Sequence, residues 1–362
     1  MEVTALIDEA KGNLLRADAD ALVNTVNCVG FMGKGIALQF KQAYPQNFDA
    51  YRRACKSGEV RPGSMFVVET GSLISPRYII NFPTKRHWRG NSRIEDIRSG
   101  LLALVREVRE REIQSVALPP LGCGNGGLDW ADVRPLIEAA IADAPDVRWI
   151  LFAPVETPDA KSMPVRTARP SMTPARALFI KLIERYSVHS YRRSLLEIQK
   201  LAYLLQESGE PLRLKYEAGH YGPYADNLNK VLERIEGHFT RGYGDSQNPN
   251  AQIELLSGAV EEANAVLSRM PESRARLERV SSLIDGFETP YGMELLATVH
   301  WVVTRMPNLD AQEDAVIEAV HEWSPRKANT LQPKHIRIAY DRLLACGWLD
   351  DRRATADSAG HS

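Results

Sequence analysis

Short apolar runs alternate with longer stretches of apolar residues spaced three and four positions apart over the first 155 residues. One such stretch carries Ile97, Leu101, Leu104 and Val108, which is the spacing of a helix that buries one face. Strands that alternate with helices predict a layered α/β domain with a central sheet. The predicted strands are residues 3–7, 21–26, 64–68, 77–82, 116–118 and 148–152. The predicted helices are residues 35–41, 45–56, 94–111 and 131–142.

Helical spacing dominates from residue 175 onward, and strands nearly vanish. The prolines between residues 154 and 174 interrupt any periodic pattern and predict a linker. The predicted helices are residues 175–186, 194–207, 224–237, 257–269, 271–286, 291–305, 311–323 and 333–347. We expect a first domain at 1–155, a linker at 156–174, a mainly α-helical domain at 175–350 and a disordered polar tail at 351–362.

The length of 362 residues suggests two domains, and an apolar content of 44% supplies material for their cores. Cys28, Cys55, Cys123 and Cys346 lie far apart and form no metal-binding spacing. No apolar run has membrane-spanning length, and the N-terminal residues do not resemble a signal peptide. We therefore expect a cytoplasmic protein with reduced thiols, no metal, no cofactor and no membrane partner.

The net charge of −1 conceals a local imbalance. Residues 245–322 contain 14 Asp and Glu against five Arg and no Lys. Such a segment repels nucleic acid and attracts a basic partner, although ordinary solvated helix faces have the same composition.

Two predicted strands are each followed by a glycine-rich loop and a helix start. The first loop follows Asn24 and Asn27, carries Gly30, Gly33 and Gly35, and enters a helix near residue 36. Glycines and free N–H groups at a helix start favour a phosphate, although tight packing alone also uses glycines. Two such loops at strand ends predict a ligand with two linked phosphates. The glycines of the second loop, which precedes a helix start at 129–132, are Gly122, Gly124, Gly126 and Gly127.

Lys85 follows a predicted strand that ends on the same side as both loops. A loop lysine is usually solvated and inert, but burial, or positive charge from Arg86 or Arg89, would lower its pKa and make the amine nucleophilic. Asp129 suits either a proton-transferring carboxylate or a helix N-cap. His87, Trp88 and Arg89 suit either contacts to the base and phosphate of single-stranded DNA or a lid over the ligand.

Four segments resemble macrodomains, an α/β fold that binds ADP-ribose, and this resemblance implies a mixed central sheet between helices. They are KGNLL at 11–15, ALVNTVNCVGFMGKGIALQF at 21–40, INFPTKRHWR at 80–89 and LPPLGCGNGGLDW at 118–130. The resemblance is strongest to the branch that holds the DarG antitoxins and the terminal ADP-ribose glycohydrolase of animals. It implies that Lys85 attacks the anomeric carbon of the distal ribose and that Asp129 completes the catalytic site.

The same resemblance implies an ADP-ribose site formed by Asn13, Leu14, Asn24, Asn27, Gly33, Lys34, Gly35, Ile36, Thr84, Leu121, Gly122, Cys123, Gly124, Asn125, Gly126 and Gly127. It also implies a DNA-contacting rim at His87, Trp88 and Arg89. Many macrodomains hold adenine with an Asp where this chain has Asn13, which changes the donor and acceptor pattern. From the residues alone, Asn24 and Asn27 suit either ribose contacts or the turn at the strand end.

Residues 195–235 resemble the all-helical antitoxin module called Panacea. Together the two resemblances imply an antitoxin that hydrolyses ADP-ribose from a DNA base, with thymidine expected, and releases ADP-ribose. Residues 175–350 would bind a DarT-type ADP-ribosyltransferase toxin, with the acidic segment as a DNA mimic. The alternatives are a protein glutamyl-ADP-ribose hydrolase and a non-catalytic ADP-ribose-binding module joined to an interaction domain. Tyr221, Tyr224 and His220 are expected to be packing and surface residues.

Overall fold

The computed structural model describes residues 6–72, 74–154, 163–187, 194–243, 252–306 and 313–349. Residues up to Arg169 and residues from Pro170 form two compact units. Met163 and Arg166 pack within the first unit. Asn13 Nδ2 donates to Met163 Sδ at 3.4 Å, and the Arg166 N–H donates to the Gln42 carbonyl at 2.8 Å. The predicted tail and residues 155–162 of the predicted domain junction lie outside the described residues, and the predicted domain limits stay a prediction.

The first unit is built on one six-stranded sheet. Its strands are β1 (Leu6–Ala10), β2 (Ala21–Asn27), β3 (Phe66–Glu69), β4 (Tyr78–Lys85), β5 (Ser115–Leu118) and β6 (Arg148–Phe152). The strand order is β1-β6-β5-β2-β4-β3, and all pairs are parallel except the antiparallel pair of β3 and β4. The predicted mixed sheet is therefore confirmed.

Helices cover both faces of this sheet. They are α1 (Gly35–Ala43), α2 (Pro45–Ser57), α3 (Ile94–Glu110), α4 (Trp130–Ile141) and a short 3-10 helix at Leu14–Arg16. Along β2, Ala21 and Val23 pack with α3 and α4 on one face, whereas Leu22 packs with Phe40 of α1 on the other. This alternation of side chains is what a sheet buried on both faces requires.

Two strands differ most from their predicted bounds. Strand β1 lies at an edge of the sheet, so its Asp8 and Glu9 stay exposed and form ion pairs. These charged residues interrupt the apolar run by which a strand is predicted from the sequence. The predicted strand at 3–7 overlaps it only at residues 6–7, because residues 1–5 are outside the described residues. Strand β4 continues through Pro83 to Lys85, where the prediction placed a loop. Proline is tolerated there because β3 pairs with β4 only as far as Asn81.

The second unit is mainly helical, as predicted. Its helices are α5 (Pro174–Ser187), α6 (Leu195–Glu207), α7 (Leu228–Ile235), α8 (Ala259–Leu267), α9 (Pro271–Ile284), α10 (Pro290–Arg305), α11 (Glu313–Glu322), α12 (Pro325–Thr330) and α13 (Pro333–Ala345). None of the described helices is long and apolar enough to cross a membrane.

The expectation that strands nearly vanish in this unit is wrong at two places. A hairpin joins β7 (Tyr216–Gly219) to β8 (Gly222–Ala225), and β9 (Thr240–Arg241) pairs with β10 (Glu254–Leu255). The predicted helix at 224–237 therefore begins only at Leu228, and α12 was not predicted. The hairpin is fixed by a long-range contact, because the buried Gln199 side chain bonds both the N–H and the carbonyl of Ala225.

The core of the second unit contains buried charged side chains. Lys327 is fully buried, and its Nζ donates to Glu294 Oε1 at 2.9 Å and to Thr298 Oγ1 at 3.1 Å. Arg326 donates two further hydrogen bonds to the same carboxylate. Burial raises the pKa of Glu294, but the bonds from Arg326 and Lys327 outweigh it and hold that pKa below its ordinary value.

Candidate active site

The sheet topology gathers the predicted site at one edge. Five neighbouring strands run parallel, so their carboxyl ends lie together. Asn13 follows β1, the first glycine loop follows β2, and the second follows β5; β4 ends at Lys85 and β6 at Phe152. The register shifts between Val26 and Asn27, so that Asn27 lies opposite Lys85. The two glycine loops extend from adjacent strands in the middle of this edge.

Lys85 is held against the second glycine loop. Its Nζ donates to the Asn125 carbonyl at 2.6 Å and to the Trp88 carbonyl at 3.3 Å. Partial burial lowers the pKa of this amine. Arg86 is not the cause, because its guanidinium forms a bidentate pair with the buried Asp96, at 3.1 Å for both bonds. Arg89 lies over the Trp88 ring instead.

Asp129 is the N-cap of α4. Its Oδ1 accepts the Ala131 N–H at 2.9 Å, and the residue is exposed. Lys85 and Asp129, both within the described residues, do not form an ion pair. Burial and the negative charge of Asp129 together raise the pKa of Cys123 to about 11, which shows that this charge acts on the second glycine loop. The capping interpretation describes this structure, and catalysis by Asp129 stays a prediction.

Three glycines of the second loop, Gly122, Gly126 and Gly127, are required by its compact turn. Gly122 and Gly127 have positive φ angles of 71° and 76°, and the Leu128 N–H donates to the Gly122 carbonyl at 3.1 Å. A Cβ at Gly126 would lie 2.2 Å from Ser92 Oγ and 2.3 Å from the Gly122 carbonyl oxygen. Gly124 and Asn125 are exposed on the loop, Cys123 is half-buried, and Leu121 anchors the loop in the core.

Ser92 belongs to this site and was not predicted. Its N–H donates to the Gly126 carbonyl at 2.9 Å, and its buried Oγ has no hydrogen-bond partner among the described residues. It lies just before α3, where no motif in the sequence pointed to a role.

The first glycine loop is shaped by Asn27. The Asn27 Oδ1 accepts the N–H groups of Val29 at 3.0 Å and Phe31 at 3.3 Å, and its Nδ2 donates to the Phe31 carbonyl. Asn27 therefore forms the turn in this structure, and a ribose contact stays a prediction. A Cβ at Gly33 would lie 2.4 Å from the Phe31 ring. Lys34 is exposed and is the N-cap residue of α1. The helix begins at Gly35, which Ile36 follows, so the free N–H groups of its first turn face the loop at the sheet edge.

Asn24 is buried deeper in the sheet. Its Nδ2 donates to Asn81 Oδ1 at 3.0 Å, and Asn81 Nδ2 donates to Asn47 Oδ1 at 2.7 Å. The Asn24 Oδ1 is buried without a hydrogen-bond partner in the described residues. Thr84 is also buried and contacts the Val26 carbonyl. Ligand contacts by Asn24 and Thr84 stay predictions.

Asn13 lies at the opposite end of this edge. Its Oδ1 accepts the Leu15 N–H at 3.0 Å, and Leu14 is buried in the core. Asn13 lines a cleft of about 360 Å³ together with Ile150 and Phe152. Phe152 was missed as a site residue; its position as the last aromatic residue of a strand was the available indication. The Phe152 side chain supplies an aromatic ring to the lining of this cleft.

Aromatic rings cluster in the segment that follows Lys85. The Trp88 ring lies 5.5 Å from the His87 ring, nearly parallel to it, and 4.6 Å from the Arg89 guanidinium. Phe31, from the first glycine loop, lies 5.6 Å from Trp88 and was not predicted as a site residue. The three predicted rim residues are thus brought together.

The fold and these loops define the first unit as a macrodomain, and residues 23–137 match the family model described as Macro domain. In the described residues, no group of three or more His, Cys, Asp or Glu is placed to hold a metal ion.

Three relatives extend this comparison. The DNA ADP-ribosyl glycohydrolase of Thermus aquaticus is 46% identical over 339 residues, which cover 94% of this chain and 93% of the relative. The chain belongs to the DNA ADP-ribosyl glycohydrolase family. A DNA ADP-ribosyl transferase-DNA ADP-ribosyl glycohydrolase fusion protein of Thermosipho africanus is 34% identical over 38% of this chain and 39% of its own length. The solved macrodomain of Mycobacterium tuberculosis DarG is 58% identical in sequence. The aligned region covers 41% of this chain and 99% of the solved chain, with a TM-score of 0.41.

Proposed function

We propose that the first unit hydrolyses the N-glycosidic bond between ADP-ribose and a DNA base, with thymidine as the base. The observation that carries the proposal is the Lys85 amine, which is partly buried, lowered in pKa and held at the second glycine loop. The names of the relatives support DNA as the substrate. The layout of the sheet edge also supports this proposal. Along the edge, the cleft at Asn13 would hold the adenine, the two glycine loops would hold the diphosphate, and Lys85 would lie at the distal ribose.

The chemistry follows from an uncharged amine at the distal ribose. The Lys85 lone pair attacks the anomeric carbon, the bond from that carbon to the base nitrogen breaks, and the base leaves with a proton. The ribose ring of this adduct then opens, because the bond from the anomeric carbon to the ring oxygen breaks, that oxygen takes the proton of Nζ, and an imine forms between the carbon and Nζ. Water adds to the imine carbon, the bond to Nζ breaks, and the amine and ADP-ribose are released. The net reaction consumes one water, and Asp129 would carry the protons between these groups.

The proposal extends to an antitoxin that protects the cell from a DarT-type toxin. The fusion of a transferase and a glycohydrolase in Thermosipho africanus supports a link between the two activities. The second unit would bind the toxin directly. Its acidic segment is a weaker DNA mimic than its composition suggests, because several of its carboxylates pair with Arg or Lys; these are Glu272, Glu278, Glu294, Glu313 and Asp314.

The test compares two substrates and three variants of the full chain. Thymidine oligonucleotide and glutamate-modified protein, both ADP-ribosylated, are incubated with the wild type, Lys85→Ala, Lys85→Arg and the exposed control Lys56→Ala. We expect release of ADP-ribose from the oligonucleotide by the wild type and the control, and a loss of about 100-fold or more in both Lys85 variants. Borohydride should trap the ribose on Lys85, which mass spectrometry detects.

Other outcomes would replace the proposal. Release from the protein substrate alone would assign a glutamyl-ADP-ribose hydrolase. Release that survives Lys85→Ala would exclude the lysine mechanism. Tight binding of ADP-ribose without release from either substrate would assign a non-catalytic binding module.

A further inference from the structure

We propose that Phe31 and Trp88 together form a platform on which the base of the ADP-ribosylated nucleotide stacks, and that this platform selects base-linked over carboxylate-linked ADP-ribose. The inference rests on the proposed function and adds to it the group that recognises the leaving base. Phe31 comes from the first glycine loop and Trp88 from the segment after Lys85, so two separate parts of the chain converge on one surface.

Both rings are open to solvent at the rim of the site. Phe31 is 39% exposed and Trp88 is 38% exposed, so part of each side chain is accessible to a ligand. Their centroids lie 5.6 Å apart with an interplanar angle of 36°, so they form one continuous aromatic surface. Aromatic surfaces of this kind bind unpaired bases by stacking.

The two rings are fixed before any ligand arrives. Asn27 bonds both the N–H and the carbonyl of Phe31, and the Phe31 ring rests on the backbone of Gly33. On the other side, the His87 ring and the Arg89 guanidinium hold Trp88. A side chain that is already ordered loses little conformational entropy on binding, which favours recognition by these rings.

The platform lies where the leaving group must be. The Lys85 Nζ donates to the Trp88 carbonyl at 3.3 Å, so the backbone of Trp88 is a direct neighbour of the amine. The leaving base is bonded to the carbon that this amine attacks, and it therefore lies within a few bond lengths of the Lys85 Nζ. A base presents a flat ring to Phe31 and Trp88, whereas a glutamyl carboxylate presents none. The stacking free energy is thus available only to the nucleotide substrate.

A lid over ADP-ribose is the competing role for these rings. A lid would contact the ADP-ribose moiety, which remains bound as the product. A base platform contacts only the part of the substrate that leaves. The affinity for free ADP-ribose therefore separates the two roles.

The experiment uses the full chain with Phe31→Leu, Trp88→Leu and the double variant, which keep apolar bulk and remove the rings. Their kcat/KM on ADP-ribosylated thymidine oligonucleotide should fall about 10-fold for each single variant, and Trp88→Phe should restore part of the loss. Calorimetry should find the Kd for ADP-ribose within about twofold of the wild type. Tyr221→Leu, which removes a 46% exposed ring in the second unit, serves as the control and should change neither value.

Two results would overturn the platform. If the Kd for ADP-ribose rises in parallel with the loss of kcat/KM, the rings are a lid. If neither value changes in the double variant, the rings have no role in recognition. A wild-type chain that binds ADP-ribose but leaves the oligonucleotide intact would instead remove the proposed function, and the platform with it.

Discussion

Lys85 differs from a surface lysine in its hydrogen bonds. Two backbone carbonyls accept from its Nζ, and no carboxylate pairs with it among the described residues. Carbonyl dipoles stabilise an ammonium less than a full negative charge does, and partial burial removes part of the hydration that would otherwise compensate. The site therefore favours the neutral amine more than bulk water does, which is the form that attacks carbon.

We predict that hydrolysis increases with pH along a limb set by Lys85. Burial lowers the pKa of this amine below its ordinary value, so its neutral fraction rises at lower pH than in a solvated lysine. The log of kcat should climb with a slope of about one below that pKa and then level off. A pH–rate profile of the wild type, from about pH 6 to about pH 10, measures this across the range where a lysine of lowered pKa titrates; a profile that is flat throughout would contradict a lysine nucleophile.

Individual site residues differed in how well the sequence predicted them. Lys85 and the glycines stood in recognisable motifs, so their positions at the sheet edge followed from resemblance. Phe31 stood inside the segment 21–40 without an assigned role, Ser92 and Phe152 stood in no motif, and only the fold brings the three to the same edge. Asn27 was assigned two possible roles because an amide bonds its own turn as readily as a ribose, and nothing in the sequence separates the two.

At the scale of elements, the second glycine loop and the start of α3 interlock. Gly126 faces Ser92 on one side and the Gly122 carbonyl on the other, and both would lie closer to an added Cβ than real atoms approach. The Gly122 carbonyl is backbone and cannot rotate away as a side chain would. The loop therefore keeps its shape only while position 126 lacks a side chain.

We predict that Gly126→Ala weakens ADP-ribose binding by about 10-fold or more, because the loop must open to admit the methyl group. Gly90→Ala is the matched control, since a Cβ there meets only the His87 carbonyl, at an ordinary 3.6 Å. Calorimetric titration of both full-length variants with ADP-ribose gives the comparison. Equal affinities would show that the loop does not form part of the site.

Elements with buried faces were predicted well, and elements at edges were not. Helix α3 and strand β2 are buried along a whole face, so hydrophobic spacing located them to within a few residues. Strand β1 and the β7–β8 hairpin have one or both faces in solvent, and the contacts that fix them come from residues distant in the chain. A pattern of local hydrophobicity contains no information about such partners.

At the scale of the whole molecule, each unit has its own buried core. The core of the first unit centres on the sheet and residues such as Trp149, whereas the second encloses the ion pairs of Glu294. The acidic composition of 245–322 predicted a charged surface, but Glu294 is buried and several other carboxylates are paired. Counting charges along a sequence overestimates surface charge wherever the partners come from other segments.

We predict that Glu294→Ala destabilises the second unit and spares the chemistry of the first. Removing this carboxylate leaves the buried ammonium of Lys327 without its counter-charge, which costs about 3–5 kcal/mol. Toxin binding near body temperature should fall sharply, while hydrolysis of ADP-ribosylated oligonucleotide should stay within about twofold. Glu272→Ala, whose side chain is 84% exposed, should change neither property. A parallel loss of both activities in Glu294→Ala would contradict independent units.

The buried amides of Asn24, Asn81 and Asn47 tie β2 and β4 to helix α2. Strand β4 ends in Lys85, and β2 leads into the loop that carries Phe31. A hydrogen bond permits much less relative movement of its partners than an apolar contact does, since its length and angle are both constrained. The three amides therefore limit how far β2 and β4 can shift relative to each other, and with this the separation between Lys85 and the Phe31 ring.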